Sequence, residues 1–159
     1  MGNGVAFNLN AFLSVLCYPV IMIRFKKIPK NIHGRITSLV DFLKKDPNIV
    51  FAYLFGGLLR DKQNPLSDVD IAIYVKEVMT LNYLNFFKEI TNILGTDEID
   101  LVVLNNAPIT LTGRILQNKK NLVDKNPFLR HKYESLILRK FFDFAMKEKD
   151  IVKRRYRIG

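Results

Sequence analysis

Residues 56–73 read GGLLRDKQNPLSDVDIAI: two glycines, a polar loop, then two aspartates set into an apolar run. The residues just before, FAYLF at 51–55, form a short apolar run suited to a buried strand. Gly56 and Gly57 end that strand. Paired glycines let the backbone turn sharply and let its N–H groups approach a bulky anion. Residues 58–61 are expected to open a short helix, whose N-terminus favours phosphate. Asn64-Pro65 marks a loop, and residues 69–75 read as a second strand. Alternate residues of a strand share a face. Asp68 and Asp70 therefore point the same way, while Val69, Ile71, Ile73 and Val75 point into the core. Two carboxylates about 7 Å apart along one strand repel each other unless a cation sits between them, and one or two magnesium ions meet that need.

A third carboxylate fits the same pattern. Ile99, Leu101 and Val103 alternate with Asp100, so a strand over residues 98–104 buries the three and presents Asp100 on its other face. Three carboxylates on adjacent strands can hold two metal ions, one activating an attacking hydroxyl and one neutralising leaving phosphates. Glu98 shares the face of Asp100, either behind the site or as the exposed start of the strand.

These residues resemble the nucleotidyltransferase signature of the DNA polymerase beta superfamily, in which a Gly-Ser turn is followed, ten residues on, by an Asp-x-Asp pair. Gly56-Gly57, ten residues, then Asp68-Val69-Asp70 keep that spacing. Arg60 stands where the motif has an arginine, and Ser67 directly precedes the first aspartate. The chain's small size, with FAYLFGG, SDVDIAIYV and IDLVVLNNAP, is similar to the minimal nucleotidyltransferase (MNT) antitoxins of HEPN–MNT toxin–antitoxin pairs, over roughly residues 36–150. The resemblance implies an α+β fold, with a short mixed sheet flanked by helices and a C-terminal helix packed on the catalytic sheet. It implies Mg2+-dependent transfer of AMP from ATP onto a tyrosine of a HEPN ribonuclease toxin. Asp68, Asp70 and Asp100 would be the catalytic and metal-binding residues, and Gly56, Gly57, Arg60 and Ser67 the nucleotide-binding ones. The implied partners are the toxin and ATP, not DNA or a membrane. A homo- or hetero-oligomer is left open.

Three positions depart from the family pattern. Gly57 replaces the serine whose hydroxyl contacts a nucleotide phosphate, removing a hydrogen bond worth about 0.5–1.5 kcal/mol net. Leu59 stands where a small residue is common. Asp61 replaces a glycine and adds negative charge near the expected phosphate site. These changes fit a slowed enzyme or an antitoxin that neutralises its toxin by complex formation alone. A small-molecule transferase of the aminoglycoside type would need an added substrate domain, for which the chain has no room.

The remaining sequence frames this block. A chain of 159 residues suits one domain with a substantial core, expected over residues 24–159. The single cysteine, Cys17, cannot close an internal disulfide and points to a reducing, cytoplasmic setting. His33 and His131 have no Cys or His at metal-ligand spacing, which argues against zinc. Of the net charge of +10, residues 111–159 carry nine units, from 14 Lys or Arg against 5 Asp or Glu. That basic third is either a solvated helical face or a surface for an acidic partner or nucleic acid. Residues 1–23 hold no charged side chain. Their apolar part, 11–23, is too short to span a bilayer, and the positive charges follow it rather than precede it, unlike a signal peptide. They read as an over-called start before Met22, a packed or loose arm, or a weak anchor.

Helical spacing of Ile36, Leu39, Val40 and Leu43 predicts a helix over 36–46. A second is predicted over 81–94, with Leu81, Leu84, Phe87, Ile90 and Leu94 on its apolar side and Gly95 as its stop. A third follows over 108–117, with Pro108 in its first turn, then a short strand at 122–123. The longest pattern, 128–146, carries Phe128, Tyr133, Leu136, Ile137, Phe141, Phe144 and Ala145. The basic tail after it is expected to fray unless it meets a partner.

Overall fold

The computed structural model describes residues 31–59 and 68–156. The N-terminal segment 1–23, Cys17, Arg60, Asp61 and Ser67 lie outside the described residues. Strand β1 is Ile49–Phe55, β2 is Val69–Val75, β3 is Ile99–Val103 and β4 is Lys119–Asp124. They form one sheet in the order β3-β2-β1-β4. β1 pairs antiparallel with β2 and with β4, and β2 pairs parallel with β3. Helices α1 (Ile32–Lys45), α2 (Tyr83–Leu94), α3 (Ile109–Gln117) and α4 (Pro127–Tyr156) complete the α+β fold.

Both faces of the sheet are covered. Val69, Ile71, Ile73 and Val75 of β2 and Ile99 and Leu101 of β3 pack with Leu39 and Leu43 of α1 and Ile90 and Leu94 of α2. Tyr53 and Phe51 of β1, Ala72 of β2 and Ile115 of α3 pack on the opposite face, with Tyr133 and Ile137 of α4 against them. Burial on both sides explains the near-continuous apolar run of β1. The parallel β2–β3 pair needs a crossover, and α2 supplies it. Its start is capped by the Asn82 side chain, which accepts from the Asn85 N–H, and it ends at Gly95 with φ +65°, the left-handed C-terminal stop expected there.

The structure departs from the sequence reading in several places. Around the glycine pair, a 3-10 turn spans Gly56–Leu59 in place of a helix starting at residue 58. On α2 the buried residues are Phe86, Ile90 and Leu94, whereas Leu84 is 78% exposed. The segment is apolar on overlapping stripes, and the stripe centred on Phe86 and Ile90 meets the sheet. β4 runs from Lys119 to Asp124 rather than over two residues. Its lysines suit a sheet edge, where charge blunts unwanted pairing. In α4, Phe128 is exposed and Leu129 packs on the core instead. The helix runs on through the basic tail to Tyr156, because its Lys, Glu and Arg are strong helix formers and no Gly or Pro intervenes. No helix among the described residues is long and apolar enough to cross a membrane.

Candidate active site

The carboxylates meet where the parallel pair begins. Asp68 immediately precedes β2, and Asp70 is the second residue of that central strand. Its cross-strand partner in β3 is Asp100. The apolar alternation of Val69 and Ile71 toward one helical layer leaves Asp70 on the other face, and Ile99 and Leu101 do the same for Asp100. The backbone ties the strand starts together, with the Val69 N–H donating to the Glu98 carbonyl at 3.0 Å. One carboxylate oxygen from each of Asp68, Asp70 and Asp100 lies within 4.8 Å of the others. Exposure rises across the group: Asp68 is 9% exposed, Asp70 is half-buried and Asp100 is open to solvent. The site thus has a floor and an open side.

The glycine turn closes the other flank. Phe55, the last residue of β1, pairs with Asp70. Gly56 follows at φ +75°, and a Cβ there would sit 1.8 Å from Asp70 Oδ2. Only glycine allows the carboxylate to lie against the turn. The Gly57 N–H donates to Asp70 Oδ2 at 3.3 Å, and buried Leu58 anchors the turn. Of the nucleotide-binding residues expected from sequence, Gly56 and Gly57 therefore border the carboxylates.

Three close carboxylate oxygens are a donor set that could hold a hard cation such as Mg2+. Their spacing suits either one ion after a small side-chain adjustment or a pair of ions about 3.5–4 Å apart. Among the described residues no other group of three or more His, Cys, Asp or Glu side chains has such a geometry. His131 is solvent-exposed beside Glu134 and belongs to no such cluster.

A charge network that the sequence reading missed lies further along the same face. Lys119 starts β4 opposite Phe55, so Asp100, Asp70, Phe55 and Lys119 form one row across the four strands. The Lys119 ammonium sits 4.3 Å from the centre of the Tyr53 ring and donates to Glu134 Oε1 at 2.8 Å. The same oxygen accepts from the Tyr53 hydroxyl at 2.7 Å and from Arg130 Nη1 at 3.0 Å, while Arg130 Nε donates to Asp124 at 2.8 Å. Burial raises the Glu134 carboxyl, but the bonds from Lys119, Tyr53 and Arg130 outweigh it and hold the group below its ordinary value. Burial, then the bond to Glu134, pushes the Tyr53 hydroxyl far above its ordinary range. The network fastens α4 to β1 and β4, on the β4 side of the sheet, away from the carboxylates. Arg130 and Glu134 at i, i+4 were its one signal in the sequence.

Residues 37–128 match the family model described as polymerase beta, nucleotidyltransferase. The chain belongs to this family. Its nucleotidyltransferase fold is also found in solved structures at low identity. A crystal structure of a mutant MntA–HpeT toxin–antitoxin aligns with a TM-score of 0.63 at 18% identity, over 76% of this chain and 98% of that one. A toxin–antitoxin crystal structure with AMP-PNP gives 0.61 at 20% identity, over 77% and 97%. A structure of a tri-AMPylated Shewanella oneidensis HEPN toxin in complex with an MNT antitoxin gives 0.60 at 17% identity, over 78% and 98%. No curated protein matches the chain.

Proposed function

We propose that this chain is the nucleotidyltransferase antitoxin of a HEPN–MNT pair and that it moves AMP from ATP onto a tyrosine of the HEPN ribonuclease toxin. The observation that carries the reading is the convergence of Asp68, Asp70 and Asp100 within 4.8 Å beside the Gly56-Gly57 turn. Asp68 and Asp70 would hold Mg2+, with Asp100 completing the site. When bound, the ion would supply charge neutralisation at the triphosphate and ease loss of the acceptor's proton. Asp100, the most open of the three, accepts the proton of the tyrosine hydroxyl. The hydroxyl oxygen forms a bond to the α-phosphorus as the bond to the bridging oxygen breaks, and pyrophosphate leaves. The Gly56-Gly57 backbone would cradle the phosphates, with the Gly57 N–H shared between them and Asp70 Oδ2, and Arg60 and Ser67 would be the further nucleotide-binding residues that the family motif implies. Protein partner and ATP are thus both substrates.

The test is transfer of labelled AMP. The purified chain, its HEPN partner, Mg2+ and α-labelled ATP should give a labelled toxin. Asp68→Asn, Asp70→Asn and Asp100→Asn should each abolish the label while keeping the wild-type melting temperature, and removal of Mg2+ with EDTA should do the same to the wild type. If Asp70→Asn labels the toxin as well as the wild type does, the mechanism is wrong. Gly57 favours a second reading, since the turn lacks the family's serine hydroxyl: an antitoxin that neutralises by binding alone. That reading predicts an inhibited toxin that carries no label.

A further inference from the structure

Helix α4 outruns the body on which it packs. In its first half, Leu129, Tyr133, Ile137 and Leu138 lie against the core, and the Phe141 ring lies against Gly113 of α3. From residue 146 to 155 every side chain is exposed. The apolar pattern does not stop where the packing stops. Ile137-Leu138, Phe144-Ala145 and Ile151-Val152 recur at seven-residue spacing, which keeps the three pairs on one side of the helix with a drift of only about 20° per repeat. The first pair is packed, while Phe144, Ile151 and Val152 are 43%, 64% and 45% exposed. Lys140, Lys147 and Arg154 repeat at the same interval and form an exposed basic row along one border of this stripe.

We infer that the distal half of α4 is a docking surface for a partner helix that carries an apolar stripe flanked by carboxylates. Charge selects this occupant over a second copy of the chain. In heptad terms Phe141, Glu148 and Arg155 fall at the a position, and Ile137, Phe144 and Ile151 at d. A parallel pair of α4 helices would set Glu148 against Glu148 and Arg155 against Arg155. An antiparallel pair would set the rows of Lys140, Lys147 and Arg154 against each other. Both arrangements are repulsive. An acidic border on the partner matches the basic row and leaves Phe144, Ile151 and Val152 to be covered. Two turns of stripe bury far less than the roughly 800 Å² per partner of a standard interface, so the contact is weak alone. This surface does not depend on the transfer chemistry.

The test uses the full chain and two labelled synthetic helices with Leu at a and d, one with Glu and one with Lys at e and g. In fluorescence anisotropy the Glu helix should bind at least about tenfold tighter than the Lys helix and weaken as salt rises. Combining Phe144→Ser with Ile151→Ser should lose about tenfold or more of that binding at an unchanged melting temperature, and Lys147→Glu should narrow the preference. Equal binding of both helices, binding of neither, or binding unaffected by the double substitution overturns the inference. So does a chain that sediments as a dimer and becomes a monomer on the double substitution, since a second copy would then be the occupant. Tighter binding of a labelled RNA duplex than of the Glu helix also overturns it, in favour of nucleic acid.

Discussion

Gly56 and Gly57 stand side by side with opposite tolerances. Gly56 has a left-handed backbone and no room for a Cβ beside Asp70. Gly56→Ala should cost roughly 1–2 kcal/mol in backbone strain alone, a melting-temperature loss of about 2–8 °C for a chain of this size. It should also abolish AMP transfer by displacing Asp70. Gly57 is not among the positive-φ glycines, so its backbone accepts a side chain. Gly57→Ser should keep the melting temperature. By restoring a hydrogen bond to a charged phosphate, worth roughly 1.5–3 kcal/mol, it should raise transfer about ten- to a hundred-fold if the bond forms in the transition state. An unchanged rate in a stable Gly57→Ser protein, beside a wild type that neutralises without labelling, would favour the binding-only reading. The sequence marked both glycines as one turn. It could not separate them, because the difference lies in where the Asp70 side chain rests, which is set across two strands.

Elements were legible where a period and a punctuating residue agreed. β2 runs from Val69 to Val75 as its alternation predicts, and Gly95 stops α2. They were less legible where polar residues do structural work. β4 was under-read because its lysines and asparagine suit an edge, and α4 because charged residues extend a helix that has nothing beneath it. The Glu134 network escaped for the same reason, since its members come from three elements and Tyr53 lies far from the rest in sequence. Glu134 is held below its ordinary carboxylate value, so its contribution to stability is complete above the unfolded-state value and is lost as pH falls through the folded one. Glu134→Gln should lower stability at pH 7 by about 1–3 kcal/mol and flatten the acid limb of the stability profile below about pH 4.5. Urea unfolding at a series of pH values reads both effects. Gly113→Ala would place a Cβ 2.3 Å from the Phe141 ring. It should cost about 1–3 kcal/mol by forcing α3 and α4 apart, and the urea midpoint would show it.

Over the whole molecule, charge and packing are divided unevenly: the basic third supplies β4 and α4, and the carboxylate site lies at the far side of the sheet, on β2 and β3. Residues 147–155 touch little of the body, so a chain ending at Met146 should melt within about 2 °C of the full one. That outcome would separate the projecting helix from the stability of the fold. The parallel pairing of Asp70 with Asp100 also governs timing. β1 and β2 are consecutive and antiparallel, so Asp68 and Asp70 are the first of the three to leave the ribosome. Asp100 joins only after the chain has run through α2 and returned, a delay of a few seconds at roughly 5–20 residues per second. Once docked, β3 is an edge strand held to the sheet by one neighbour, the kind of unit that opens before the whole fold does. Each such opening takes away one of the three carboxylates while the rest of the core survives. On warming, chemistry should therefore fail before the molecule melts, and the β3 amides should exchange with solvent faster than those of β1 and β2.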